Sequence, residues 1–543
     1  MRKQGRILVV DDKQDWRDAA VEALRQAGFE AESVETIAQA RICMEQGLYH
    51  LLVLDIRLDN DSNEDGLAFL RELDGLGLTD AVQVVMFSNY GTKEYMRETF
   101  RDYRIADFIE KSPFNEYKFV EDVRRVFSKN ARLNLDMNIR WSQTSGPEAT
   151  VVNLKIRHDS NENPNRVTAN SVLQKRVAIE LEDLLRRLFY EASSVLVRPM
   201  APGRGGTGVL WARPFYDNIG GGSAVVVKYG SAPQVQQEYR NYKEYVERLV
   251  GGGHSTTVHD VRRTILLGGI SYSFLGASGQ IEDFGSFYKH SDNDKIKHAV
   301  DRLFLKTCID WYANVSRLGL LDLAEDYQKT LHFTPEKLRN GFRQLRTAQG
   351  SDQEHIYIGS LQNSKPFTNP LRAIAGQNLA FPTYTSPTHG DFNQHNLQVD
   401  RDGYIWMIDF QGTGQGHILR DLVALDSTVR FQLLTTSDAT LQERLEMEQA
   451  LCSINHFNEV DLLDGGFQTS NLNLAKAYDI TVHLRKLARH MVRHNHNDDF
   501  NEYYAALLFH ALNTMRFTYL EQEQREHALL SASLLVKKLE IEM

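Results

Sequence analysis

The chain has 543 residues, and 62 lysines and arginines against 72 aspartates and glutamates give it a formal net charge of −10. This is globular composition with length for about three or four domains. The acidic balance makes nucleic acid an unlikely partner through overall charge, although it leaves a local basic patch open. Cys43, Cys308 and Cys452 are too few and too far apart for a disulfide framework or a closed zinc site. The sequence shows neither a signal peptide nor a bilayer span, so we expect a cytoplasmic protein with no membrane partner.

The first 128 residues alternate between short apolar runs and amphipathic stretches. Runs at 6–10, 30–35, 51–55, 82–88 and 106–111 predict five strands, and the stretches between them predict helices. This alternation is typical of a doubly wound, flavodoxin-like α/β domain with a parallel sheet. Functional groups gather at the carboxyl ends of such strands, where this sequence places Asp11, Asp12, Asp55, Ser88 and Lys111.

The chemistry of these five residues suits a metal ion and a phosphoryl group. Asp11, Asp12 and Asp55 would repel one another unless a cation joined them, and Mg²⁺ prefers carboxylate and water ligands. Lys111 would neutralise phosphoryl oxygens, and Ser88 would donate a hydrogen bond to one. A carboxylate beside Mg²⁺ and a lysine can accept a phosphoryl group as an acyl phosphate.

The order of these residues on their strands resembles the receiver domain of bacterial response regulators. The resemblance implies that Asp55 is the phospho-acceptor, that Asp11 and Asp12 join it in holding Mg²⁺, and that Ser88 and Lys111 are the switch hydroxyl and the phosphate clamp. It also implies a sensor histidine kinase or other phospho-donor as a partner, and it allows a homodimer through the receiver. The alternative is a flavodoxin-like sheet with incidental edge carboxylates.

Three further features bear on the resemblance to a receiver. Asp65-Gly66 looks like the family's turn beyond the acceptor loop. The acceptor loop itself is longer than usual and lacks the customary Met-Pro. Ser112 separates Lys111 from Pro113, which puts the family's cis peptide bond in doubt.

The rest of the chain divides into three parts. Residues 129–170 are rich in Asn, Ser, Asp and Pro, so we expect a linker with short strands there. Residues 171–280 predict a smaller strand-rich lobe, and residues 281–543 predict a larger helical lobe. The second folded part is therefore an α+β, two-lobed domain.

The strand-rich lobe carries residues suited to nucleotide phosphates. Gly203, Gly205, Gly206 and Gly208 would let backbone N–H groups approach phosphate oxygens, although such a segment is more often only a turn. A buried-type strand then ends on Lys228, which suits the α- and β-phosphates of a nucleotide. The following helix offers two partners that would orient this lysine, Glu238 and Glu244, of which we favour Glu238.

The helical lobe carries HGDFNQHN at 389–396 and WMIDFQG at 406–412. One carboxylate at a reacting hydroxyl, with an Asn and an Asp on Mg²⁺, is a minimal set for phosphoryl transfer. Asp391 suits the first role, and Asn396 and Asp409 suit the second.

These motifs resemble the aminoglycoside phosphotransferase and choline kinase families, which have the protein-kinase-like fold. The resemblance covers roughly 190–430 and implies Mg²⁺ and ATP as cofactors, with Asp391 and Lys228 as the catalytic pair and Asn396 and Asp409 as metal ligands. It implies that His389 braces the catalytic loop and that the segment 270–277 occupies the place of the adenine-reading hinge. Arg420-Asp421-Leu422 looks like the Asp-Leu that follows in these enzymes.

These residues leave three candidate functions. We expect a receiver-controlled, ATP-dependent phosphotransferase whose hydroxyl acceptor is a small molecule or a protein. The alternative is a signalling adaptor whose kinase-like part binds nucleotide or a partner without catalysis; it is disfavoured because Lys228, Asp391, Asn396 and Asp409 are all present. A DNA-binding response regulator ranks last, because no helix-turn-helix of the usual size follows the first domain.

One further cluster is expected to carry no metal. His490, His494 and His496 lie in a cationic segment with no nameable third ligand, so we expect a solvated helix end. Its basic face, with Arg485, Lys486, Arg489 and Arg493, could instead contact an anionic substrate or partner.

Overall fold

The computed structural model describes residues 5–58, 65–89, 105–129, 132–142, 146–157, 163–200, 206–218, 220–250, 256–273, 281–346, 348–361, 366–492 and 498–541. The chain forms two compact units. The first unit comprises Met1–Tyr239 and Thr257–Ala277, and the second comprises Arg240–Thr256 and Ser278–Met543.

The first unit begins with a five-stranded parallel sheet in the order β2-β1-β3-β4-β5. Its elements are β1 (Arg6–Val10), α1 (Gln14–Gln26), β2 (Glu30–Val34), α2 (Ile37–Gln46), β3 (Leu51–Leu54), α3 (Asp65–Gly75), β4 (Gln83–Ser88), β5 (Asp107–Glu110) and α4 (Glu116–Lys129). Apolar cores lie on both faces of the sheet, one with α2 and α3 and the other with α1 and α4. The doubly wound architecture predicted for the first domain is confirmed.

The rest of the first unit is built on a second sheet, in the order β13-β14-β12-β10-β9-β6, with β11 pairing β10. Its strands are β6 (Asn138–Trp141), β9 (Ser194–Pro199), β10 (Gly208–Tyr216), β11 (Gly220–Gly221), β12 (Val225–Ser231), β13 (Val258–Arg263) and β14 (Leu267–Ser273). The remaining elements are α5 (Pro147–Thr150), β7 (Lys155–Ile156), β8 (Asn165–Arg166), α6 (Val172–Leu188) and α7 (Ala232–Asn241). Helix α6 covers one face of this sheet with an apolar core.

The segment 129–170, expected to be a linker with short strands, contributes short strands and several apolar residues to this second core. Strand β6 pairs in parallel with β9, and β7 and β8 form a short hairpin. Val151, Leu154 and Val167 are buried in the core beneath α6. Apolar residues scattered among polar ones carry no clear period, so their burial depends on partners distant in sequence.

Helix α6 and the loop before β14 also contact the parallel-sheet part of the same unit. Nε2 of His50 lies 3.0 Å from Oδ1 of Asp183 on α6. Arg263 donates a 3.1 Å hydrogen bond to the carbonyl of Leu76, and Ile265 packs against the cores of both sheets. The two parts of the first unit are therefore packed together through side chains.

The second unit is mostly helical. Its helices are α8 (Phe284–His290), α9 (Asn293–Arg302), α10 (Ile309–Ala313), α11 (Leu323–Thr330), α12 (Pro335–Arg343), α13 (Pro370–Ala373), α14 (Arg420–Ser427), α15 (Leu441–Leu451), α16 (Leu472–Val492), α17 (Asn501–Met515) and α18 (Gln522–Lys538). Within the described residues, none of the helices of the chain is both long and apolar enough to cross a membrane.

Short strands interrupt these helices. They are β15 (Ile281–Asp283), β16 (Gly319–Asp322), β17 (Ala348–Gln349), β18 (His355–Ile358), β19 (Phe367–Thr368), β20 (Ala380–Thr383), β21 (Thr385–Thr388), β22 (Leu397–Asp400), β23 (Ile405–Met407) and β24 (Gly414–His417). Strands β15, β22 and β23 form one antiparallel sheet, and β21 pairs with β24. The two segments predicted to carry catalytic residues lie at the ends of these strands.

Candidate functional sites

The acidic cluster lies at the carboxyl edge of the parallel sheet. Asp11 and Asp12 follow β1, Asp55 follows β3, and each of the three offers one carboxylate oxygen within 4.8 Å of the others'. Asp11 and Asp55 are nearly fully buried, and Oδ1 of Asp12 is buried without a hydrogen-bond partner in the described part of the chain. Several oxygen ligands converging on one point, one of them unsatisfied, fit a hard divalent cation.

Lys111 joins two of these carboxylates. Its Nζ lies 2.5 Å from Oδ2 of Asp11 and 2.6 Å from Oδ2 of Asp55, and the lysine is itself buried. Burial raises the pKa of the Asp11 carboxyl, and the Lys111 ammonium opposes this shift without cancelling it. The geometry thus brings the phosphate-clamp candidate to the phospho-acceptor candidate.

The other residues predicted for this site lie around the cluster. Ser88 is fully buried at the carboxyl end of β4, the neighbour of β3. Gly66 lies so close to the acceptor that an added Cβ would stand 1.8 Å from the main-chain oxygen of Asp55. The Ser112-Pro113 bond is cis, so the inserted serine does not remove the cis peptide that the sequence put in doubt. The longer part of the acceptor loop, 59–64, lies outside the described residues.

The glycine-rich segment is described only from Gly206 onwards; Gly203 and Gly205 lie outside the described residues. Gly206 has φ +85°, and its Cβ would stand 2.6 Å from Cγ of Lys155. A Cβ on Gly208 would stand 2.1 Å from the ring of Tyr229. Both glycines are buried against protein side chains, so their small size serves packing there, and their role in binding phosphates stays a prediction.

Lys228 and Glu238 form a buried ion pair in the first unit. Lys228 lies on β12, and its Nζ is 2.7 Å from Oε2 of Glu238 on α7. The hydroxyl of Tyr272 donates a 2.8 Å hydrogen bond to Oε1 of the same glutamate. Glu244, the other candidate partner, is exposed. Of the segment 270–277, only residues 270–273 are described, and they belong to β14.

Asp391 and Asn396 are joined in the second unit. Nδ2 of Asn396 donates to the main-chain oxygen of Asp391 at 3.0 Å and to its Oδ2 at 2.9 Å. Asn396 is buried, whereas the Asp391 side chain is exposed. The amide therefore orients a carboxylate that remains exposed to solvent.

Asp409 and His389 occupy neighbouring turns. Asp409 follows β23 with φ +68°, a left-handed conformation that is costly for a residue other than glycine. Nε2 of the buried His389 lies 3.0 Å from the carbonyl of Ile408, the residue before Asp409. His389 thus joins the first motif to the second, as expected for a structural brace.

Asp421 holds the loop that carries Asp391, a role that the motif alone did not reveal. Its two carboxylate oxygens accept hydrogen bonds from the backbone N–H groups of His389 (2.8 Å) and Gly390 (3.1 Å). The hydroxyl of Tyr312 donates a third, at 3.0 Å. Complete burial raises the pKa of Asp421, while His389 and the backbone donors oppose the shift. Its place in an Arg-Asp-Leu sequence after the second motif was the only signal.

The histidine-rich segment is described only in part, since residues 493–497 lie outside the described residues. Arg485 is completely buried, with Nε 3.4 Å from Oδ2 of Asp426. Lys486 and Arg489 pair with Asp464 and Asp461. The described cations of this segment are neutralised locally, which corrects the suggestion of a basic face.

Two models of known protein families match this chain, one in its N-terminal part and the other in the remainder. The model of ternary complex associated domain 9 matches residues 192–332 and 329–516, and the model of the response regulator receiver domain matches residues 7–124. The receiver match contains all five candidate residues of the acidic cluster and its surroundings.

Similar solved structures include NtrX from Brucella abortus in complex with ATP, which is 29% identical over 24% of this chain and 28% of its own, with a TM-score of 0.21. The chain thus spans less than a third of the NtrX chain that it matches. The chemotaxis protein CheY4 from Vibrio cholerae is 18% identical over 23% of this chain and 98% of its own (TM-score 0.21). A CheY-like receiver domain protein from Methanospirillum hungatei JF-1 is 22% identical over 24% and 97% (TM-score 0.21).

Proposed function

Because the chain belongs to the ternary complex associated domain 9 family and carries a response regulator receiver domain, we propose that it is a two-component signalling protein whose receiver controls a Mg-ATP-dependent phosphotransferase. The observation that carries the catalytic part is the Asp391–Asn396 pair on a loop whose backbone is held by Asp421. An exposed carboxylate held in one orientation is what a group that positions an acceptor hydroxyl requires.

In the receiver, an Asp55 oxygen attacks the phosphorus of a phospho-donor, the bond from phosphorus to the donor's leaving group breaks, and an acyl phosphate forms. Lys111 neutralises charge on the phosphoryl oxygens, and Ser88 donates a hydrogen bond to one of them. Mg²⁺, which receiver domains bind at such an acidic site, would be held by Asp11, Asp12 and Asp55 and would stabilise the charge that develops in transfer. A sensor histidine kinase is the phospho-donor that the receiver implies.

In the phosphotransferase reaction, the acceptor oxygen attacks the γ-phosphorus of ATP, the bond to the bridging oxygen breaks, and ADP leaves. Asp391 orients the acceptor hydroxyl and takes its proton. Lys228, held by Glu238, neutralises nucleotide phosphates. Asn396 and Asp409 would hold Mg²⁺, which would neutralise the β- and γ-phosphates.

The family's description also bears on partners. A domain associated with ternary complexes suggests that the chain acts in an assembly with other components. The acceptor is a hydroxyl on a small molecule or on such a protein component.

The catalytic part is tested with Asp391→Asn and, as a matched control, Asp402→Asn, an exposed carboxylate in the β22–β23 turn. ADP release and transfer of labelled phosphate from ATP should fall at least about a hundred-fold in Asp391→Asn, since a positioned general base contributes that much, and should be unchanged in Asp402→Asn. ATP binding without turnover in the wild type, or equal turnover in both variants, would favour the nucleotide-binding adaptor instead.

The receiver part is tested separately with acetyl phosphate and Mg²⁺, by intact mass. Asp55→Asn should abolish the phosphorylated species, whereas Asp18→Asn, an exposed carboxylate on α1, should retain it. Persistent phosphorylation of Asp55→Asn would show that another residue is the acceptor. Adding ATP to the phosphorylated and unphosphorylated wild type then measures how the receiver changes ADP release.

A further inference from the structure

The second sheet has one face that α6 does not cover. Side chains alternate along each strand, and Val195, Val197, Leu210 and Ala212 point into the core beneath α6. The residues between them therefore point the other way. On β6, β9 and β10 these include Arg140, Leu196, Arg198, Trp211 and Arg213, which we call the arginine face.

Strand register makes this a continuous patch. Arg140 is opposite Leu196, and Leu196 is opposite Arg213, so two arginine positions flank one leucine across three strands. Trp211 is opposite Arg198, two residues further along β9. Cross-strand neighbours are about 5 Å apart and i, i+2 neighbours about 7 Å apart, so the five side chains are adjacent.

The charge of the patch opposes that of the chain. Arg140, Arg198 and Arg213 are exposed, while Leu196 and Trp211 are half-buried. Among the described strand positions that face this way on β6, β9, β10 and β12, none is acidic. Three cations gathered on a protein with a net charge of −10 form a local attraction for anions.

Arg198 and Trp211 provide the second component. The Arg198 guanidinium carbon lies 4.9 Å from the centroid of the Trp211 ring, which is cation–π distance. An exposed guanidinium plane supported by an aromatic ring is a surface on which a nucleobase can stack. An acidic peptide would use the three charges, but it would gain nothing from this support.

We propose that the arginine face binds single-stranded nucleic acid, with a base stacked on the Arg198–Trp211 pair and backbone phosphates at Arg140 and Arg213. This surface lies within the first unit, on the face of the sheet from which Lys228 also projects, but it uses none of the residues assigned to the phosphotransferase reaction. It provides one base position and two phosphate contacts, so binding is sequence-tolerant and sensitive to salt.

The test uses the full chain and a fluorescein-labelled oligouridylate, followed by anisotropy at several salt concentrations. Two phosphate contacts predict that log Kd rises with log salt with a slope of about 1.4, since single strands give about 0.7 per contact. Joint replacement of Arg140 and Arg213 by Gln should lower this slope by about 1.4 and weaken binding at low salt about ten-fold or more. Arg124→Gln, an exposed arginine on α4, is the matched control and should change neither value.

The stacking component is tested with Trp211→Leu and Arg198→Lys. Both should weaken oligouridylate binding about five-fold or more, because the stacking surface is lost. Inorganic polyphosphate, which has charge but no bases, serves as a second probe. Its binding should be unchanged in Arg198→Lys, because the lysine keeps the positive charge. Circular dichroism checks that each variant is folded. If Trp211→Leu is not folded, Arg198→Lys, which removes no apolar contact area, takes its place in the test. Equal affinity for oligouridylate and polyglutamate, with no loss in Arg198→Lys, would assign the face to an acidic protein and overturn the proposal. The absence of binding to oligouridylate at low salt would overturn it as well.

Discussion

The imidazole of His50 and the carboxylate of Asp183 meet at 3.0 Å, both buried, and join the receiver to helix α6 of the second sheet. Nδ1 of His50 accepts a 2.9 Å hydrogen bond from the backbone N–H of Arg6, and Arg187 lies 2.7 Å from the other oxygen of Asp183. This contact involves the start of β1 and the residue before β3, at the edge of the sheet opposite to Asp55. The receiver is thus attached at the edge of the sheet opposite to the candidate phospho-acceptor Asp55.

Asp183→Asn should destabilise the first unit by about 3 kcal/mol at neutral pH, because breaking the buried ion pair with Arg187 leaves the charge of Arg187 uncompensated. Urea unfolding measures this loss. Glu72→Gln, which removes an exposed ion pair with Arg41 in the same unit, should cost no more than about 1 kcal/mol.

The same pair predicts a pH dependence. Burial raises the pKa of Asp183, but Arg187 and His50 outweigh it, so its pKa is well below the ordinary value. A carboxylate with a lowered pKa stabilises the fold fully above about pH 4, and this stabilisation is lost as the pH falls further and the carboxylate is protonated. The difference in unfolding free energy between wild type and Asp183→Asn should therefore shrink below pH 4; a constant difference would contradict the assignment.

Gly66→Ala should both destabilise the receiver and slow the phosphorylation of Asp55, because the new Cβ would stand 1.8 Å from the Asp55 main-chain oxygen. Forcing an atom into a packed site costs about 1–3 kcal/mol. Gly75, on the same helix, has no atom within 4 Å of an added Cβ, so Gly75→Ala should be neutral or stabilise by up to about 1 kcal/mol. Thermal unfolding and the rate of labelling by acetyl phosphate measure both effects, and equal behaviour of the two variants would refute the argument.

Glu238→Gln should raise the KM for ATP and lower kcat/KM roughly ten-fold or more, because it removes the negative charge that orients buried Lys228. Glu244→Gln changes the next glutamate along the chain, which is exposed, and should leave both values unchanged. Steady-state kinetics at varied ATP separate the change in KM from that in kcat. An equal response of the two variants would show that Glu238 has no role in nucleotide binding.

His527 should make the second unit sensitive to mild acid. Burial lowers the pKa of His527 to about 4, despite Nε2 lying 2.9 Å from Oε1 of Glu448. A histidine that is neutral in the fold stabilises it fully above its unfolded pKa of about 6.5 and loses this effect as the pH falls toward 4, at a total cost of about 3 kcal/mol. Between pH 6.5 and 4.5, unfolding free energy should fall less steeply in His527→Asn than in the wild type, while exposed His355→Asn should follow the wild type.

Much of the receiver site could be predicted, because each of its residues follows a recognisable strand. Parallel strands bring their carboxyl ends to one edge, so Asp11, Asp55 and Lys111 could be placed together before any distance was known. Likewise, the pairing of Lys228 with Glu238 was expected because a buried lysine on a strand needs an anion nearby.

Other features depend on partners far apart in sequence, so local patterns did not reveal them. Gly208 looked like part of a phosphate loop, but only the position of Tyr229 shows that it makes room for a ring. Arg485 looked like part of a basic surface until folding buried it beside Asp426. The clamp of Asp421 on the loop before Asp391 likewise became visible only in three dimensions.

By itself, the sequence determined the receiver and the identity of the candidate catalytic groups, since these depend on side-chain chemistry at strand ends and in short loops. Only the tertiary structure decided that the segment 129–170 belongs to a core, how His50 joins the receiver to α6, and which arginines share an open sheet face. The physical reason is that burial and register are set by long-range contacts, whose free energy outweighs local preference.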